Sequence, residues 1–339
     1  MITSYNSKKI RFFSSFLIVM VVYLHSYYLE GEQYLISRYI QDFVGGGICG
    51  AANYMFFLIS GYLFFHNIGD FLSIKQKMRK RVQSLLVPYI LWNVIFLLWY
   101  CVLGLIPSLS DKFVNGSIIT KLIDAPWYEG LYMVFVMPAA FQLWFLRDLL
   151  IFVLLSPALY WLLLRFTSIF PAILLLGSMI EPTIGFLAMF VLGGCLSVKE
   201  VEIDSLTVKL KRVLPLFLLL YIIGAIVYPF HIDWLKPFHA LIYLSGIISL
   251  WCLYDMMNVD KYHWYESLLG YSFFIYCFHI PFFNIVKKLN LMIIGESQIN
   301  LIILYFVNPI IAVALIVLIA KLLQYLLPKC YKVLTGYRK

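Results

Sequence analysis

Long apolar runs separated by short polar stretches make up nearly the whole chain. A helix needs about 20 predominantly apolar residues to cross a bilayer, and ten runs approach or exceed that length. They cover approximately residues 11–29, 46–66, 83–104, 143–165, 168–181, 183–198, 213–230, 237–256, 266–287 and 298–324. Because the runs are continuous rather than alternating, they exclude a β-barrel. The pattern predicts an all-α fold, a polytopic membrane bundle of about ten transmembrane helices.

The composition agrees with this prediction. Of the 339 residues, 63% are hydrophobic and only 13% are charged, whereas a soluble domain carries about 25% charged residues. The runs leave no room for an appended soluble domain, so residues 1–339 are predicted to form a single transmembrane domain. The fifth and sixth runs meet at Glu181-Pro182 and are predicted to form a tight hairpin.

The positions of lysine and arginine predict the orientation. With the N-terminus inside, the cytoplasmic segments hold roughly three times as many of these residues as the outer segments, as the positive-inside rule requires. Both termini are therefore predicted to be cytoplasmic. The net charge of +9 then reflects topology and membrane lipid rather than a nucleic-acid partner.

The six cysteines do not indicate a metal or disulfide framework. No CxxC pair occurs, and most of the cysteines lie in apolar runs. Buried free thiols are the simpler interpretation, although Cys49 and Cys101 could both lie near the outer face. No metal site is expected.

The first candidate for chemistry is His25, near the outer end of the first run. An ionisable group in a bilayer is costly, so it is a functional candidate by default. A neutral imidazole can take a proton from an attacking hydroxyl. The alternative is a helix-end histidine that forms hydrogen bonds with Ser26, Tyr27 or Tyr28.

A second histidine, His279, falls in the outer half of the ninth run, two residues before Pro281. It either lines a site or takes part in satisfying the helix that the proline disrupts. Proline frees a backbone carbonyl one turn earlier, which a nearby polar side chain can satisfy.

Basic residues are concentrated after the second run. Five of them lie between Lys75 and Arg81. Guanidinium groups suit phosphates, so Arg79, Lys80 and Arg81 are candidates for binding a phosphorylated ligand. Ordinary positive-inside topology is the alternative.

Two further places have both a functional and a structural interpretation. Arg147 and Asp148 are adjacent at the outer end of the fourth run, about 100° apart on a helix, so they need not pair with each other. One could orient a histidine, or both could form interhelical salt bridges. Ser60-Gly61 is most simply a small-residue packing patch, or it admits a slender ligand.

Taken in order, short motifs along the chain resemble the acyltransferase-3 family of bacterial integral-membrane O-acyltransferases. The motifs are Val21–Ser26, Phe56–Tyr62, Arg79–Arg81 with Pro88-Tyr89, Leu143–Asp148 and Ser272–His279. There is one departure. Members often carry an arginine at the position of Ser14 and an aspartate one turn earlier, where this chain has Arg11, which could reach up the helix.

The resemblance implies an enzyme of the bacterial inner membrane that acylates a glycan. The donor would be an acyl-CoA, with acetyl-CoA expected, bound near Arg79, Lys80, Arg81 and Arg11 with its arm passing Ser60. His25 would be the base or a transient acyl carrier. The residues expected to orient the site or to stabilise the developing oxyanion are Arg147, Asp148 and His279. The acceptor would be a polysaccharide or lipid-linked glycan.

Transport without chemistry is the competing class. A lipid-linked oligosaccharide flippase or a small-solute exporter accounts equally well for ten spans with polar residues. No internal repeat of the kind that many transporters carry is evident. A glycan polymerase is a third interpretation. Its large outer loops would be expected to supply several acidic or basic catalytic residues, and the outer loops here are modest. Thioester hydrolysis without acceptor would separate an acyltransferase from a flippase.

Overall fold

The computed structural model describes residues 2–28, 32–104, 140–257 and 264–337, together with a few positions between 126 and 138. All regular structure in these residues is helical, which confirms the predicted all-α class. The helices are α1 Ser4–Leu24, α2 Leu35–Asp42, α3 Ala51–Phe65, α4 Phe71–Gly104, α5 Trp144–Phe166, α6 Ile169–Gly177, α7 Ile184–Val198, α8 Ile203–Val227, α9 His239–Met256, α10 Trp264–Leu269, α11 Ser272–Ile294, α12 Gln298–Leu326 and α13 Pro328–Leu334. A π-helix, Phe43–Cys49, joins α2 to α3. Short 3-10 turns include Phe141–Leu143, Tyr228–Phe230 and Asp233–Phe238.

Six helical segments within the described residues are long and apolar enough to cross a membrane, and a seventh is added if the bent pair in α11 is one span. Three of the ten predicted spans fall outside this set. Helix α1 has 21 residues but carries three basic residues in its first half. Helices α6 and α7 have only 9 and 15 residues. The number of ten therefore stays a prediction, as do the sides of the two termini.

The chain divides into two compact units, and each is described by itself. Unit 1 comprises the described residues of Met1–Lys77, Leu155–Ser272 and Glu296–Pro309, and unit 2 those of Met78–Leu154, Phe273–Gly295 and Ile310–Lys339. His25 and Ser60 belong to unit 1. Arg11 also belongs to unit 1, and the remaining predicted site residues belong to unit 2. The predicted single domain stays a prediction.

Glycines allow the closest helix crossing in unit 1. A Cβ atom on Gly61 of α3 would collide with the carbonyl of Phe190 in α7, and one on Gly193 of α7 would collide with the carbonyl of Leu58 in α3. Only glycine lets two backbones approach this closely, as in the small-residue contacts of membrane helices. The structure therefore supports the packing interpretation of Ser60-Gly61.

The π-helix of unit 1 is rich in glycine and is held by tyrosines. A π-helix leaves backbone groups out of the regular ladder, and such segments recur at functional sites. Tyr243 donates to the carbonyl of Gly46 at 2.8 Å, and Tyr221 donates to the carbonyl of Ile48. These two hydroxyls, from α8 and α9, therefore satisfy backbone carbonyls of the π-helix.

A buried ion cluster ties together the first turns of α1, the first part of α8 and the end of α9. Asp255 accepts from Lys9 and Tyr5 at 2.6 Å and pairs with Lys211 at 2.9 Å. The Lys9 ammonium also lies 4.2 Å from the centre of the Trp251 ring. Lys9 is only 1% exposed, and a charge that deep persists only when it is paired.

Aromatic packing organises unit 2. Trp92 of α4 contacts the rings of Phe274 and Phe278 in α11, and its Nε1 donates to the carbonyl of Leu334 in α13 at 3.1 Å. Gly336 follows α13 with φ +65° and lies against the backbone of Ser84. A side chain there would be strained by the left-handed backbone and blocked by α4.

Candidate active site

His25 terminates α1 instead of lying inside it. The helix ends at Leu24, and the backbone N–H of His25 donates to the carbonyls of Val21 and Val22, both at 3.2 Å. Ser26 closes the same turn, since its hydroxyl donates to the carbonyl of Tyr23 at 2.8 Å. The predicted span continued to residue 29; it ends earlier because these two residues satisfy the last carbonyls. The half-buried imidazole of His25 therefore projects from a helix end.

A polar layer of unit 1 supports the end of α1. Gln41 is fully buried, accepts from the backbone N–H of Tyr28 at 2.6 Å and donates to Ser37 at 2.8 Å. Tyr305 of α12 places its hydroxyl 3.4 Å from the carbonyls of both Tyr23 and Gln41. Satisfied buried polar groups of this kind rigidify their surroundings. The segment that carries His25 is consequently fixed on both sides.

Two adjoining cavities lie at the opposite end of α1, again within unit 1. A polar cavity of about 520 Å³ is lined by Thr3, His66 and Asp204 among others. An apolar cavity of about 250 Å³ is lined by Ile59 and Trp251 among others. Asn6, Tyr62, Leu196 and Ile203 line both. Partial burial, with the Lys77 charge as a smaller contribution, lowers the pKa of His66 below its usual value.

The basic run at the start of α4 serves more than one purpose. Lys77 donates to the carbonyls of Phe64 at 3.2 Å and of His66, so it caps the C-terminal end of α3. Cations at a helix C-terminus satisfy its last carbonyls and its dipole. Arg79, Lys80 and Arg81 are exposed, and successive helix positions direct them about 100° apart.

Arg147 and Asp148 of unit 2 form a direct pair. Nε and Nη2 of Arg147 both lie 2.8 Å from Oδ1 of Asp148, and Nη1 donates to the carbonyl of Val136. The sequence left the pairing of these adjacent residues open, and they pair because the long arginine side chain bends back to its neighbour. The pair joins the first turn of α5 to residue 136.

Gln142 satisfies the carbonyl that Pro281 frees in α11. Proline at 281 has no N–H to offer the carbonyl four residues earlier, and that carbonyl, of Cys277, accepts from Nε2 of Gln142 at 2.6 Å. Tyr276 in turn donates to the carbonyl of Gln142. The sequence left open that a polar side chain satisfies this break; in the structure the side chain that does so is Gln142.

His279 lies within the same helix break and is 0% exposed. Its Nδ1 lies 2.7 Å from the carbonyl of Tyr276 and 3.2 Å from that of Ile275. Carbonyls only accept, so Nδ1 carries the proton and the lone pair resides on Nε2. The imidazole is oriented by its own helix rather than by Arg147 or Asp148.

The remaining predicted site residues have simpler surroundings. Arg11 is exposed on α1, and Ser60 is half-buried on α3 beside the glycine crossing. Within the described residues, no group of three or more His, Cys, Asp or Glu side chains is arranged to hold a metal ion. The six cysteines are free thiols, as expected.

Sequence reasoning missed several residues that organise these regions. Gln41, Gln142 and Tyr305 are polar residues in apolar surroundings, and Asp255 is the acid that neutralises Lys9. The one sequence signal they give is a polar residue within or beside a predicted span. It indicates that the residue has a polar partner but does not show which residue that partner is. Their partners lie far away along the chain, as Lys9 and Asp255 do.

Comparisons with known proteins converge on one family. The family described as "Acyltransferase domain" matches residues 10–323. The succinoglycan biosynthesis protein ExoH of Rhizobium meliloti (strain 1021) is 26% identical over 298 residues, which cover 83% of this chain and 77% of ExoH. No solved structure matches significantly.

Proposed function

Because this multi-pass membrane chain belongs to the acyltransferase-3 family, we propose that it transfers an acyl group from a cytoplasmic acyl-CoA to a hydroxyl of a glycan. Acetyl-CoA is the expected donor, and the bacterial inner membrane is the expected location. The observation that carries the proposal is the family match over nearly the whole chain. The relative named for succinoglycan biosynthesis supports a polysaccharide or lipid-linked glycan as acceptor.

His25 is proposed as the general base. It accepts the proton of the acceptor hydroxyl as the hydroxyl oxygen attacks the thioester carbonyl. The carbon–sulfur bond then breaks, and coenzyme A leaves and takes up the proton as its free thiol. A half-buried imidazole at a helix end, on a rigid polar layer, is suited to this role. Transfer through an acyl-histidine is the variant of the same step.

Arg79, Lys80 and Arg81 are proposed to bind the donor phosphates. Their exposure leaves the guanidinium groups accessible, and charge-assisted bonds to phosphate are among the strongest in proteins. Lys77 is assigned instead to capping α3. Arg11 stays a predicted donor contact, and Ser60 a predicted neighbour of the donor arm.

Acyl-CoA binding and thioester hydrolysis by purified protein in nanodiscs test the proposal. The double variant Arg79→Ala/Arg81→Ala is expected to weaken acetyl-CoA binding about tenfold or more. The control is Lys209→Ala/Arg212→Ala, an exposed basic pair at the start of α8, which should leave affinity unchanged. Folded wild type that neither binds nor hydrolyses acetyl-CoA or a longer acyl-CoA would favour the transporter class.

A further inference from the structure

A cavity of about 270 Å³ lies in unit 1 at the end of α1 that carries His25. The connection between α8 and α9 contributes Tyr228, His231 and Lys236 to its lining, and the π-helix contributes Gly47. Two residues before Gly47, the backbone of Gly45 lies against Tyr23 and Leu24: a Cβ there would be 3.8 Å from the carbonyl of Tyr23. The cavity therefore shares the π-helix with the end of α1.

Aromatic rings form much of the cavity surface. The rings of Tyr228 and His239 have centroids 5.6 Å apart, those of His239 and Tyr243 5.9 Å, and those of Tyr228 and His231 5.8 Å. The hydroxyl of Tyr243 donates a hydrogen bond to the carbonyl of Gly46. Within the described part of the chain, no hydrogen bond is formed by the hydroxyl of Tyr228 or the ring nitrogens of His239. These groups are left to a ligand.

Glycine makes room for this aromatic wall. A Cβ atom on Gly46 would collide with the ring of Tyr228, and one on Gly47 would lie 2.8 Å from the carbonyl of Ala225. The Tyr228 ring thus lies directly against Gly46 of the π-helix. The methyl group of Gly46→Ala would therefore displace the Tyr228 ring without removing it from the protein.

The charges around the cavity are already neutralised. Lys236 pairs with Asp233 at 2.7 Å. Asp42, on the far side of His231, lies 3.2 Å from the His231 imidazole and 3.8 Å from Arg38. Among the described residues that line the cavity, Lys236 and His231 each face a carboxylate, so the lining offers a neutral ligand aromatic faces and hydrogen-bonding groups rather than a cation reserved for an anion.

We propose that this cavity binds one neutral hexose unit of a glycan. A hexose has C–H faces that stack on tyrosine and imidazole rings, and it has hydroxyls that both donate and accept. The cavity volume accommodates one pyranose ring with water. That the bound unit belongs to the acyl acceptor rests on the proposed function; the sugar site itself rests on the cavity.

The test is a binding titration without donor, using neutral glucose and galactose tetrasaccharides and protein in nanodiscs, followed by saturation-transfer NMR. Tyr228→Ala and Gly46→Ala should each weaken binding about tenfold, since both remove the stacking face. Tyr228→Phe should weaken it only a few-fold, through one hydrogen bond. Tyr39→Ala is the matched control, because Tyr39 contacts Phe230 and Ile226 near the same end but does not line the cavity.

Two arms identify the source of the sugar: the soluble tetrasaccharide, and the same tetrasaccharide on a lipid anchor in the nanodisc. Saturable binding in either arm that Tyr228→Ala and Gly46→Ala weaken, and Tyr39→Ala does not, supports the site. No binding in either arm across the panel, or equal loss in Tyr39→Ala, overturns it. Displacement by phosphate or glucuronate, but not by glucose, overturns the neutral-sugar assignment.

Acyl-CoA hydrolysis measured on the same samples separates this inference from the proposed function. Sugar binding by protein that lacks thioester hydrolysis supports the cavity and contradicts the acyltransferase proposal. Hydrolysis without sugar binding does the reverse.

Discussion

The surroundings of the two candidate histidines differ in a way that separates chemistry from architecture. His25 is half-buried beyond the last residue of α1, and its backbone N–H closes the helix. His279 is 0% exposed, and its ring is bonded to the carbonyls of its own helix beside Pro281. Both are intramembrane histidines by sequence. The structure gives one of them an accessible ring and the other a bonding role within a broken helix.

The difference teaches that intramembrane polarity has two sources. A proline-broken helix needs polar groups to satisfy its backbone; in unit 2 Gln142 bonds the freed carbonyl of Cys277, and the ring of His279 bonds the neighbouring carbonyl of Tyr276. The end of α1 contains no proline, and its carbonyls are satisfied locally. No proline break therefore accounts for the position of His25, which lies at an ordinary helix end.

Replacing His25 should have the largest effect on activity. His25→Ala is expected to lower acyl transfer about a thousandfold, the range for loss of a general base. Because the ring is half-buried at a helix end, unfolding stability should change by less than about 0.5 kcal/mol. Transfer to a glycan and thermal unfolding measured on one preparation check both statements. Transfer within a few-fold of wild type would remove His25 from the reaction and erase the contrast with His279.

Substitutions of His279 should mainly affect stability. His279→Ala leaves a cavity in α11 and removes the bonds of the ring to the carbonyls of Tyr276 and Ile275, for an expected loss of about 2 to 4 kcal/mol. His279→Asn places an amide N–H near the position of Nδ1, whereas His279→Gln places its amide near Nε2. If the ring is a positioning group, Asn restores both stability and transfer better than Gln does. Rescue of transfer by Gln, with Asn inactive but folded, would instead make Nε2 part of the chemistry.

The sequence predicted what depends on local composition. The apolar runs gave the helical membrane class, His25 was expected near a helix end, and Pro281 implied a freed carbonyl with a polar partner. What required the fold was pairing over long distances. Lys9 counted only as a topology signal, yet it is buried against Asp255 on α9. Gln142 lies one residue before the predicted fourth span, and nothing local links it to Cys277.

Geometry also decided cases in which residues are neighbours in sequence. The 100° spacing of Arg147 and Asp148 left their pairing open, and the flexible arginine side chain brings its guanidinium to 2.8 Å from the carboxylate. The glycine run at 45–47 read as the beginning of a span, whereas the structure makes it a π-helix that supports Tyr228. Helix periodicity fixes Cα and Cβ positions, and it does not fix where long side chains end.

The smallest of the expected effects tests how the broken helix of unit 2 is satisfied. Gln142→Met keeps the side-chain volume but leaves the buried carbonyl of Cys277 without its donor, at a cost of about 1 to 3 kcal/mol. Within the described residues the Gln142 Oε1 has no hydrogen-bond partner, and removing that buried acceptor offsets part of the cost. We therefore expect a net loss of about 1 kcal/mol.

A double-mutant cycle with Pro281→Ala isolates the interaction. Alanine at 281 supplies an N–H that can bond to the Cys277 carbonyl within the helix, so Gln142→Met should cost less in that background than in wild type. Unfolding measured for the four proteins gives the coupling between the two positions. Equal costs in both backgrounds would mean that Gln142 does not compensate for the proline.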